Sequence, residues 1–76
     1  MIRELETVVL TRDVPEYGLR KGDVGAVVHR YADREAYEVE FVMAEGKRVA
    51  LLTLPEADIR LMGSGEILHA RVLSPA

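Results

Sequence analysis

Apolar and polar residues alternate with a period of two over short runs, and turn-forming residues close each run. The clearest run is Ala36–Val42, where Tyr37, Val39 and Phe41 alternate with Glu38 and Glu40. That alternation predicts a strand with one face on a core and the other in water. Residues 6–11 are β-branched and aliphatic and predict a first strand, and Val24–Tyr31 predicts a second. Residues 48–54 predict a fourth, Ile59–Leu61 a short fifth, and residues 66–73 a sixth after Gly63-Ser64-Gly65. Between them the punctuation is local. Residues 13–18 carry the Pro15 and Gly18 of a loop, and Leu19 to Asp23 contains Gly22 at a turn. Ala32-Asp33-Arg34-Glu35 and Ala44-Glu45-Gly46-Lys47 read as hairpin connections. Pro55-Glu56-Ala57-Asp58 reads as one short 3-10 turn, with Pro at its start and two acids near its N-terminal end. No segment carries apolar residues at the i, i+3, i+4, i+7 spacing of a helix.

Short strands at this spacing predict an all-β fold, a small antiparallel barrel of five strands plus the C-terminal sixth. The expected organisation is a single domain over 1–76, with its core in 4–62 and strand 66–73 after a Gly-Ser-Gly hinge. The words Val8-x-Leu10, Leu19-x-x-Gly22-Asp23-Val24-Gly25-x-Val27-Val28 and Tyr37-x-Val39-x-Phe41 resemble the layout of SH3-like barrels. The Leu-x-x-Gly-Asp-x-Gly opening is similar to that of KOW modules. Glu6 to Thr11, Asp58-Ile59-Arg60 and Glu66-Ile67-Leu68-His69-x-Arg71-x-Leu73 extend the likeness. With them, the chain resembles a bacterial domain-of-unknown-function family of small proteins from about Glu4 to Leu73. That resemblance implies a compact SH3-like protein without assigned chemistry. Its members resemble small partners encoded beside toxin-like proteins, which implies an antitoxin-like neutralising role.

Composition then narrows the classes. Seventy-six residues with 49% apolar and 30% charged side chains suit one small folded unit rather than a disordered tail. The absence of cysteine removes disulfides, thiolate metal ligands and a cysteine nucleophile. The N-terminal residues 1–7 have no apolar run behind Arg3, and residues 49–55 are too few to span a bilayer. A cytoplasmic protein without membrane contact is expected. The net charge of -3 argues against nucleic acid, and the charges are interspersed: residues 3–23 hold four bases and five acids, and so do residues 30–48.

Candidate chemistry is thin. His29 and His69 lack the spacing of a zinc site, and a half-exposed strand histidine is the simpler account of each. Glu38 and Glu40 lie on one strand face about 7 Å apart. Carboxylates so placed serve acid–base chemistry in glycosidases, but a solvated face paired with Arg30, Lys47 or Arg48 explains these better. Gly22-Asp23-Val24-Gly25 lacks the glycine spacing and the Lys-Ser/Thr of a phosphate loop. No catalytic, metal or cofactor site is expected. The expected function is a non-enzymatic protein-interaction module. Its partner-binding candidates are the loop tyrosines Tyr17 and Tyr31 and the tail residues Ile67, His69, Arg71 and Leu73. The tail pairs either within its own barrel or with another chain, which would make a homo-oligomer. The alternative is a KOW-like nucleic-acid-binding domain using Arg20, Lys21 and Arg30.

Overall fold

The computed structural model describes residues 2–33 and 35–73. Five strands form: β1 (Thr7–Leu10), β2 (Val24–Tyr31), β3 (Ala36–Val42), β4 (Arg48–Pro55) and β5 (Ile59–Leu61). All pairings are antiparallel, in the order β4-β3-β2-β1-β5. Among the described residues there are two 3-10 turns rather than one. The expected turn before β5 is Glu56–Asp58, and a second, Pro15–Tyr17, lies in the stretch expected to be a loop. Val14 and Leu19 bridge across that second turn, which lets both side chains enter the core. No helix among the described residues is long and apolar enough to cross a membrane.

The side-chain period of two sets the packing. Tyr37, Val39 and Phe41 of β3 meet Ala50, Leu52 and Leu54 of β4, and Val27 of β2 meets Val8 and Leu10 of β1 in the same cluster. A bulge between Val27 and His29 slips the β2–β3 register, leaving Val28 exposed and putting His29 opposite Glu38. Hydrogen bonds do not close the sheet into a barrel, because β4 and β5 each have only one neighbour. The covalent chain draws the two edges together instead. Only residues 56–58 separate Pro55 of β4 from Ile59 of β5, and four residue steps reach at most about 14 Å. Leu54 and Ile59, from opposite ends of the strand order, therefore share one core.

The expected sixth strand does not form. Residues 66–73 have no ladder, and β5 ends at Leu61. The reason lies at the edge that such a strand would need. β5 is three residues long, and the Arg60 side chain donates from Nη1 to the Leu61 carbonyl (3.2 Å), occupying an edge acceptor. Gly63-Ser64-Gly65 lies in a closed turn, in which the Glu66 amide donates to the Gly63 carbonyl (3.1 Å).

Candidate functional site

The turn entering β2 builds the most elaborate polar cluster described. Gly18 ends the 3-10 turn Pro15–Tyr17 at φ 71°, and Gly22 adopts φ 97°, both in the left-handed region that glycine reaches without steric cost. The Gly22 amide donates to the Leu10 carbonyl and the Leu10 amide to the Asp23 carbonyl, each at 2.9 Å, which ties the turn to β1. The Lys21 amide donates to Asp13 Oδ1 (2.8 Å) and the Arg20 amide to Asp23 Oδ2 (2.8 Å). The Asp23 carboxylate is thus oriented by the turn itself.

Arg71 reaches this carboxylate from the tail, 48 residues away. Its Nε donates to Asp23 Oδ1 at 2.8 Å and its Nη2 to Oδ2 at 2.5 Å, a two-pronged pair, and Nη2 also donates to the Gly18 carbonyl at 3.0 Å. Both side chains are largely covered, at 23% and 18% exposure. The hydrogen bond from Arg71 holds the Asp23 carboxyl below the ordinary aspartate range, against the opposing effect of burial. Leu73 follows, its Cδ1 3.7 Å from where a Cβ on Gly18 would lie. A second pair holds the start of the tail: Arg60 donates to both Glu66 oxygens at 2.7 Å, and the Gly63 amide donates to Oε1. Those bonds, the arginine's first, bring the Glu66 carboxyl down to about 2. The anchors bracket Val9, which is buried on the face of β1 opposite Val8 and Leu10 and pairs with Val24 and Arg60.

Both carboxyls have folded values below their unfolded ones. Their contribution is complete above the unfolded values, near 4.5 for Glu66 and 3.8 for Asp23, and is lost as pH falls through the folded values. Acidification from pH 5 to about pH 2 is therefore expected to free the tail before the sheet melts. The Arg71 Nε–H and Leu73 methyl NMR signals should move to their free positions while the amides of β1 to β3 keep their exchange protection. Simultaneous loss in both regions would refute separate release.

The structure brings some of the sequence candidates together and separates others. Tyr17, Arg20 and Lys21 lie in the loop and turn that receive Arg71 and Leu73. Tyr31 and Arg30 stand at the far end of β2 and line an open depression of about 390 Å³ with Glu35, Tyr37 and Glu56. There the Tyr37 hydroxyl donates to Glu56 Oε1 (2.9 Å), and burial, reinforced by Glu56, raises its pKa above the usual tyrosine value. The two loop tyrosines thus flank opposite ends of a strand rather than one groove. Along the tail, Ile67 and His69 are exposed while Arg71 and Leu73 are half-buried, so the four do not share the single face that strand alternation predicts.

His29 lies 3.5 Å from Glu4 and packs edge-on against Tyr31. Glu40 pairs with Arg48 at 2.9 Å, the cross-sheet partnership expected for a solvated face. Among the described residues, no three histidines or carboxylates group to hold a metal. Sequence reasoning missed the Asp23–Arg71 pairing, since nothing local links residues 48 apart. It also missed Leu5, which takes φ 71° with its side chain 85% exposed. Residue Arg34 of the β2–β3 connection and the end of the tail, 74–76, lie outside the described residues.

No curated protein and no solved structure is similar enough to this chain to count as a match. A family described as a domain of unknown function (DUF4926) matches residues 4–61, which take in all five strands and the turn that holds Asp23. The chain belongs to that family, and Arg71 reaches its site from beyond the matched segment.

Proposed function

We propose that this chain is a non-enzymatic protein-interaction module with an SH3-like barrel plan, serving as the neutralising or regulatory partner of a protein encoded nearby. The barrel plan is supported by the strand order β4-β3-β2-β1-β5 and by the 3-10 turn joining β4 to β5. One observation carries the interaction reading. The tail is fastened by Arg60–Glu66 and Arg71–Asp23, yet three of its aliphatic side chains stand in water: Ile67 is 88%, Leu68 71% and Val72 89% exposed. A segment held by polar anchors with its apolar groups in water has the makeup of a docking surface.

The charge distribution favours a protein partner over nucleic acid. Arg71 is neutralised by Asp23, Arg60 by Glu66 and Arg48 by Glu40, and Arg30 stands at the other end of β2 from Arg20 and Lys21. An acidic chain also suits a basic protein, because complementary charge speeds encounter.

The test is co-expression with the product of the adjacent gene, followed by co-purification of the wild-type chain and an Ile67→Glu/Leu68→Glu variant. Burying one such side chain stabilises a complex by about 1.5–3 kcal/mol, so the variant is expected to bind at least tenfold more weakly. Equal recovery with both chains would remove the tail from the interface.

A further inference from the structure

The contacts of Arg71 differ in kind from the rest of the tail. The acceptors it meets are fixed by the turn and not by the tail. Asp23 is oriented by the Arg20 amide, Gly18 by the left-handed end of the 3-10 turn, and both by the bonds that tie Gly22 and Asp23 to Leu10. Beyond the Arg60–Glu66 pair at its start, the segment that supplies the arginine has few contacts of its own. Ile67, Leu68 and Val72 bury almost nothing, and residues 66–73 add no strand to the sheet. A preformed acceptor pair and a lightly fastened plug describe a binding site filled by its own chain.

We propose that the Asp23 carboxylate and the Gly18 carbonyl form an arginine socket which Arg71 occupies in cis, and that an extended peptide segment carrying Arg-x-Leu occupies it in trans by displacing the tail. This deepens the interaction-module reading and rests on it, because it names what a partner presents. The ligand chemistry follows from the geometry. Two carboxylate oxygens and a carbonyl converge on donors from one guanidinium, a fork that a lysine ammonium does not reproduce. The leucine two positions later follows from the place of Leu73, half-buried with its Cδ1 3.7 Å from where a Cβ on Gly18 would lie. Residues 13–23 carry three acids and two bases, so the turn has a net negative charge for an incoming cation. Gly18 and Asp23 lie within the segment 4–61 matched by the family, whereas Arg71 lies beyond it.

The probe is a synthetic peptide with the sequence of residues 66–73, titrated into the full-length chain and followed by the amide signals of Gly18, Arg20 and Asp23. A tethered tail competes at an effective concentration of about millimolar, so the wild-type chain is expected to bind the peptide at least tenfold more weakly than an Arg71→Ala variant. Changing the peptide's arginine to lysine or alanine should remove that binding, and so should adding Asp23→Asn to the variant. If Arg71→Ala does not fold, Arg71→Lys serves in its place, since it keeps the charge and gives up the fork. Equal binding to wild type and variant, or binding indifferent to the peptide's arginine, overturns the socket. Loss of partner capture by Ile67→Glu/Leu68→Glu, with no peptide effect, would overturn the socket and leave the interaction reading standing.

Discussion

Phe41→Ala is expected to lower the free energy of unfolding by about 3–5 kcal/mol, read as a fall in the urea midpoint. The ring is 3% exposed and sits in the one cluster that gathers β1 to β5. Its removal costs the transfer of the ring and leaves a cavity that close-packed neighbours fill only in part. Proteins of this length carry about 4–11 kcal/mol in all, so the variant should be near the limit of folding at room temperature. Only four aromatic residues are present, Tyr17, Tyr31, Tyr37 and Phe41, and just Tyr37 and Phe41 are buried in the core. The aliphatic side chains therefore have few large neighbours to move into the gap. A loss below about 1 kcal/mol, outside the range for such truncations, would mean that the ring does not carry the core.

Gly25→Ala is expected to destabilise by about 1–3 kcal/mol, the cost of forcing extra volume into a well-packed site. In an ordinary strand the same change is favourable by about 0.4–1 kcal/mol, because alanine has less backbone freedom to lose. Here the sign reverses for a steric reason. A Cβ on Gly25 would lie 2.7 Å from Val39 Cγ1, 2.8 Å from Phe41 Cε1 and 3.0 Å from the Glu40 carbonyl oxygen. Neither valine nor the backbone carbonyl has the slack of a flexible side-chain end. The Phe41 ring is one of the three obstacles, so Phe41→Leu should relieve part of the strain. A double-mutant cycle is expected to show a favourable coupling of about 0.5–3 kcal/mol between the two changes. Urea denaturation of the four chains gives the result, and a stabilised Gly25→Ala would show that β2 and β3 are not in this close contact.

These two sites also mark where local reading succeeds. Tyr37, Val39 and Phe41 alternate with two glutamates, and the predicted strand Ala36–Val42 has the observed bounds. The bounds of Val24–Tyr31 and Ile59–Leu61 were legible too, as was the turn at Gly22. Period-two burial and turn chemistry act over a few residues, so a linear text carries them. The sixth strand shows the limit. Residues 66–73 have β-type composition, but a strand exists only where an edge accepts it, and Arg60 fills part of the β5 edge. The candidate site shows it again. Arg71 and Asp23 were each visible as single residues, one in a tail and one in a turn, and no pattern linked them.

By itself, the sequence determined five strands, the inward face of β3 and most of the turns between them, because each depends on neighbours in the chain. Only the tertiary structure decided the strand order, the edges left without a partner and the path of the tail. It also decided that one carboxylate in the β2 turn would meet an arginine 48 residues later. The physical reason is that such pairings trade loop-closure entropy against contacts made only when the whole sheet is in place, a balance no local window contains.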